Sequence, residues 1–101
     1  MTAYLIANIK VKDRDAYAIY EQAFGSAGNS EAFTTNGGEF KVVDESAEVV
    51  EGEWPYTRIV VAEFPSMENA KAWYHSDAYQ QIIHHRHAAS ESSTIFVNGL
   101  G

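Results

Sequence analysis

The sequence has no cysteine among its 101 residues. That absence excludes disulfides, thiol nucleophiles and thiolate metal sites, while leaving the redox compartment undecided. Basic residues are scarce as well: 7 Lys and Arg stand against 14 Asp and Glu, a formal net charge of −7. The acidic side chains gather mid-chain at Glu39, Asp44, Glu45, Glu48, Glu51 and Glu53. A surface of that sign repels phosphate backbones and anionic lipid, so neither nucleic acid nor membrane is an expected partner. No apolar run approaches the roughly 20 residues of a spanning helix, and no basic segment leads into an apolar signal at the N-terminus. The expectation is a soluble cytoplasmic protein.

What is present is enough apolar material, 46% of residues, to bury one modest core. No repeat or linker interrupts the chain, which reads as a single domain over residues 1–101. From Tyr4 to Val11, Leu5, Ala7, Ile9 and Val11 alternate with Tyr4, Ile6, Asn8 and Lys10, the pattern of a strand. Asp13 or Asp15 can cap a helix that carries Tyr17, Tyr20 and Phe24 on one face. The segment Gly25 to Gly38 is rich in Gly, Ser, Thr and Asn, which predicts an early helix end and a wrapping loop. A hairpin is expected next, with arms Glu39 to Val43 and Ala47 to Glu51.

Arg58 to Phe64 is the clearest strand, because Ile59, Val60, Val61 and Ala62 make it apolar on both faces. Pro65 and Ser66 then open a second helix that carries Ala70, Trp73 and Tyr74 on a stripe. Ser76 and Asp77 read as a break and a fresh cap. The helical stretch after them aligns Tyr79, Ile82, Ile83 and Arg86, placing a guanidinium on the apolar face. Ser93 to Val97 closes the chain as a last strand. The order βαββαβ, with its second helix split, is the ferredoxin-like pattern of an α+β fold with an antiparallel sheet. Helices cover one face of such a sheet, so the apolar residues on the other face need a cover, and a second copy is the expected one.

The stretch from Gly52 to Arg86 carries a resemblance to a known family. Glu51, Gly52 and Trp54, then Arg58, Val60, Val61, Glu63, Phe64, Pro65 and Ser66, then Ala70, Trp73, Tyr74, Ser76, Tyr79 and Arg86 match its core. Tyr4, Leu5, Ile6, Val97 and Gly99 extend the match over nearly the whole chain. On these residues the chain resembles the DUF1330 family of small bacterial proteins, whose reaction, if any, is not established. The resemblance implies pairing sheet to sheet as a dimeric α/β barrel. Many relatives carry Arg after the paired glycines, whereas Glu39 follows Gly38 here and Val43, Asp44 and Glu45 stand further on. If those arginines hold an anion in relatives, this chain takes a more neutral ligand or has lost the site.

Few residues offer chemistry, and each has two readings. Glu63 shares a face with Ile59 and Val61, and a carboxylate buried there would cost on the order of several kcal/mol without a partner. Arg86 is the expected partner. The pair either pins the third helix to the sheet, or lies in a cleft where Arg86 binds an acidic or carbonyl group and Glu63 accepts a proton. Arg58, on the opposite face from Glu63, is expected near Trp54, stacked on the indole or paired with Glu51 or Glu53 at a rim. Of the adjacent Trp73 and Tyr74, one packs while the other lines a pocket or a dimer seam. Tyr4, Tyr17, Tyr20 and Tyr79 are either core rings or pocket hydroxyls.

His75, His84, His85 and His87 cluster in sequence, but no carboxylate stands at a metal spacing such as H-E-x-x-H, so no metal is expected and a solvated, titrating surface is. Asn36, Gly37 and Gly38 lack the context of a phosphate loop and serve to begin a strand. The sequence therefore predicts a homodimer that binds a small, partly apolar molecule between sheet and helices. The candidate ligand-binding residues are Tyr4, Tyr20, Arg58, Glu63, Trp73, Tyr74, Tyr79 and Arg86, with Glu63 and Arg86 as candidate catalytic groups. The alternatives are a cofactor-independent enzyme, similar in architecture to muconolactone isomerases or antibiotic-biosynthesis monooxygenases, and a structural or regulatory dimer without a pocket. No bound cofactor is expected under any of these readings.

Overall fold

The structure, a computed structural model, describes residues 1–100. Strand β1 (Ala3–Val11) leads through Asp13, whose side chain accepts from the Ala16 N–H at 3.0 Å, into helix α1 (Arg14–Phe24). Helix α2 (Ala27–Thr35) follows, and Gly37, at a φ of 76°, then turns the chain into β2 (Glu39–Asp44). After an extended segment come β3 (Arg58–Phe64), α3 (Met67–Tyr74), α4 (Asp77–Gln80), α5 (Ile83–Ala89) and β4 (Ser90–Asn98). Ser66 caps α3 by accepting from the Asn69 N–H at 3.1 Å, and Ser76 caps α4 by accepting from the Tyr79 N–H at 3.3 Å.

The four strands form one antiparallel sheet in the order β2-β3-β1-β4, the ferredoxin-like arrangement. The pairing register divides its side chains cleanly. Ala3, Leu5, Ala7 and Ile9 of β1 stand beside Phe64, Ala62, Val60 and Arg58 of β3, on the face that the helices cover. On the other face Tyr4, Ile6 and Asn8 stand beside Glu63, Val61 and Ile59. The core lies wholly on the helix side, where Phe64, Trp73, Phe33 and Tyr79 pack with the small residues Ala62 and Ala70. Small side chains in the strands leave room for large rings from the helices, so the layers interdigitate.

Three elements depart from the sequence reading. Residues 27–35 are helical, although their composition reads as loop. Phe33 is the reason: it is buried against Phe64, Trp73 and Phe40, with its ring stacked 4.7 Å from that of Phe40, and this packing overrides weak local propensity. The arm expected over Ala47 to Glu51 is not a strand. Val49 and Val50 are exposed, and β2 pairs with β3 instead, where Phe40 and Val43 stand beside Ala62 and Val60. The helix expected to run from Ser76 through Arg86 breaks into α4 and α5. Ile82 lies between them, donating its N–H to the Tyr79 carbonyl at 3.0 Å in a tighter turn.

Candidate functional site

A cavity of about 230 Å³ lies between the helices and the sheet. Its floor is Leu5, Ala7 and Ile9 of β1 with Val60 of β3. Tyr17, Tyr20, Glu21 and Phe24 come from α1, Phe40 and Val43 from β2, and Trp73, Tyr74 and Tyr79 from α3 and α4. Arg58, Arg86 and Thr94 complete the lining. The wall is thus aromatic and aliphatic, with two guanidiniums, one carboxylate and a few hydroxyls. A small set of polar groups in an apolar hollow is the common make-up of a ligand site.

Arg86 is only 4% exposed. Its Nη1 donates to Ser92 Oγ at 2.8 Å and to Thr94 Oγ1 at 3.3 Å, and its Nε has no hydrogen-bond partner. The sequence folds this way because β4 begins directly after α5, which returns Ser92 and Thr94 beneath the helix that carries Arg86. Ser90 locks the junction by donating its hydroxyl to the Arg86 carbonyl at 2.6 Å. Among the described residues no carboxylate forms an ion pair with Arg86. A buried cation held by neutral hydroxyls alone costs on the order of several kcal/mol, which folding must offset elsewhere.

Tyr20 and Tyr79 are buried beside it and share a hydrogen bond of 2.7 Å between their hydroxyls. Burial raises the pKa of both phenols above the ordinary tyrosine value. At Tyr79 the Arg86 guanidinium pulls against that rise, as does the hydrogen bond with Tyr20. Both rings therefore stay neutral at physiological pH, and the pair offers the cavity one polar point in an aromatic wall.

The second guanidinium is neutralised. Arg58 reaches Glu21 at 3.4 Å and Glu45 at 3.3 Å, and it lies over the Tyr17 ring at 5.5 Å from the centroid. Arg14 holds the same Glu45 at 2.7 Å and keeps its carboxyl below the usual carboxylate range. These contacts tie α1 to the segment after β2 and to β3.

The family follows from the chain's own sequence: the model of the Domain of unknown function (DUF1330) matches residues 2–100. The chain belongs to the DUF1330 family. No curated protein matches it. Among solved structures, this DUF1330 protein is similar to a protein of unknown function from Rhodopseudomonas palustris, with TM-score 0.77 and 18% identity, covering 99% of this chain and 83% of that one. It is similar to a dimeric ferredoxin-like protein of unknown function from Jannaschia sp. CCS1, with TM-score 0.75 and 11% identity over 98% of this chain and 100% of that one. It also resembles SnoaB, a cofactor-independent oxygenase from Streptomyces nogalater, with TM-score 0.64 and 14% identity over 99% and 94% of the two chains. At these identities the likeness is one of fold.

In this DUF1330 protein, Tyr20, Arg58, Trp73, Tyr74, Tyr79 and Arg86 of the eight expected ligand-binding residues line the cavity. Tyr4 and Glu63 do not. They stand side by side on the opposite face of the sheet, where hydrogen bonding to the Glu63 carboxylate raises the pKa of the Tyr4 hydroxyl. The expected pairing of Glu63 with Arg86 is therefore corrected: the sheet separates them, because Glu63 falls on the open face and Arg86 belongs to α5 on the covered face. Arg58 pairs with Glu21 and Glu45 rather than with Glu51, Glu53 or the Trp54 indole. Trp73 is buried and Tyr74 half-buried, and both reach the cavity.

Sequence reasoning missed Ser92 and Thr94, the hydroxyls that hold Arg86, although their alternation with Phe96 was available as a signal. It also missed Phe40, whose position in an exposed edge strand gave no sign that its ring turns toward Phe24 and Phe33. Among the described residues no three His, Asp or Glu side chains gather as metal ligands, and no helix is long and apolar enough to cross a membrane. The His84 and His85 rings lie 4.0 Å apart on α5, and desolvation, with Arg86 nearby, lowers the pKa of His87.

Proposed function

We propose that this protein is a homodimer that binds a small, partly apolar molecule in the cavity between helices and sheet. The observation that carries the reading is Arg86: a guanidinium almost fully withdrawn from water, without a counter-charge among the described residues, at the wall of an aromatic-rich hollow. Selection for stability alone would replace such a group by an apolar side chain; a binding site has a use for it. The open sheet face supports the dimer. Ile6 stands between Val61 and Ile95 there, Ile95 is 53% exposed, and a second sheet would cover all three. The Jannaschia protein of the same fold is described as dimeric.

Native mass spectrometry of untagged protein, set against the mass of the denatured chain, tests both halves. The expected result is a dimer carrying extra small-molecule mass. A monomer overturns the assembly, and a protein that takes up no small molecule even when offered a broad mixture overturns the site.

A cofactor-independent isomerase or monooxygenase is the second reading. It is favoured by the Tyr20 and Tyr79 hydroxyls beside Arg86, an arrangement able to hold a developing negative charge on a substrate oxygen. SnoaB, a cofactor-independent oxygenase, shares the fold. Glu63 has no place in that chemistry at this cavity. Under this reading Tyr79→Phe lowers turnover of a bound substrate while leaving its binding within a few-fold.

A further inference from the structure

We infer that the ligand is a small monocarboxylate, a flat apolar body whose carboxylate seats on Arg86; this rests on the cavity being a binding site. The charge comes first. Arg86 lines the cavity, spends its Nη1 on two neutral hydroxyls and, among the described residues, pairs with no carboxylate, so a full positive charge stands at the cavity wall. A carboxylate presents two oxygens to a guanidinium and supplies the missing counter-charge.

The count of charges sets the valence. Arg58, the only other cation that lines the cavity among the described residues, is matched by Glu21 at 3.4 Å and Glu45 at 3.3 Å. One uncompensated guanidinium calls for one negative charge, and a phosphate dianion would bring a second with nothing to meet it. Glu21, itself at the lining, adds repulsion against a higher charge.

The walls set the shape. Tyr20, Phe24, Trp73 and Tyr79 form a continuous aromatic surface, with Trp73 and Tyr79 centroids 4.3 Å apart and Phe24 and Trp73 centroids 6.1 Å apart. Trp73 Nε1 is a further buried donor without a partner. A dry cavity of roughly 150 Å³ already holds benzene. At about 230 Å³ this cavity takes one ring with a short acid-bearing arm.

The test is calorimetric titration of the full chain with benzoate, phenylacetate and cinnamate, each beside its primary amide. The amides keep shape and apolar area, lose the charge and exchange one acceptor oxygen for an NH2 donor. At least one carboxylate is expected to bind tenfold or more tightly than its amide, the size of a charge-assisted hydrogen bond. In Arg86→Met the preference for acid over amide disappears, and in Arg86→Lys part of it returns. Equal binding of acid and amide overturns the monocarboxylate and leaves the cavity as a neutral-ligand site. No binding of any of the six probes overturns the binding reading together with it. The acid-to-amide comparison in the unaltered protein needs no variant, so misfolding of Arg86→Met does not spare the inference.

Discussion

The hydroxyls of Tyr20 and Tyr79 meet at 2.7 Å across a helix interface, 59 positions apart in the chain. Each is the other's polar partner in surroundings too apolar for either alone. Tyr20→Phe or Tyr79→Phe leaves one buried hydroxyl without its partner and is expected to cost about 1–3 kcal/mol. The double variant removes both polar groups and is expected to cost less than the sum of the two. Urea unfolding of all four proteins closes the cycle, and strict additivity would show that the bond contributes nothing specific.

The same burial makes the protein sensitive to alkali. Tyr17, Tyr20 and Tyr79 all have folded-state pKa values above the ordinary 10.0, so the unfolded chain releases its phenolic protons first. Between the unfolded and folded values the unfolded state binds fewer protons, and stability falls as pH rises. The contribution is complete below pH 10 and is lost progressively above it, with a limiting slope of about 1.4 kcal/mol per pH unit for each tyrosine. Denaturant midpoints measured from pH 8 to 11 check this, and Tyr79→Phe is expected to flatten the decline.

Phe33 anchors a helix whose own sequence scarcely supports one. Phe33→Ala removes a buried ring packed on Phe64, Trp73 and Phe40, and is expected to cost about 3–5 kcal/mol. Amide exchange over residues 27–35 should speed up more than exchange in β1. Uniform acceleration would mean that α2 and the sheet unfold only as one unit.

Ile95 distinguishes fold from assembly, since it is half exposed in the single chain. Ile95→Lys should therefore change the monomer's stability by no more than about 0.5 kcal/mol while placing a charge in the centre of the proposed dimer interface. Sedimentation is expected to show a monomer for this variant and a dimer for the parent. A variant that remains dimeric would move the interface off the open sheet face.

Much of this architecture is legible from residue patterns, for reasons that differ by element. β1 alternates, and Asp13, Ser66 and Ser76 announce their helices through side chains that bond the backbone three residues on. β3 is recognisable as a strand, yet being apolar on both faces it carries no mark of which face the helices cover. That ambiguity placed Glu63 with Arg86, when Arg58, Val60, Ala62 and Phe64 are the side chains on the helix side. α2 was hidden because its stability lies in Phe33's distant contacts rather than in local propensity. The helical stripe of Tyr79 and Arg86 pointed to the cavity. The hydroxyls beneath Arg86 depend on how β4 doubles back under α5, which spacing alone does not determine.

Amide NMR spectra recorded while cinnamate is titrated into the protein test whether the helix–sheet cavity around Arg86 binds a small molecule. Saturable shifts are expected along α1 from Tyr17 to Phe24, at Tyr79 and Arg86, and at Ser92 and Thr94, with Ile6, Val61 and Ile95 on the open face unmoved. Shifts confined to the open face, or none at saturating probe, would contradict binding in this cavity.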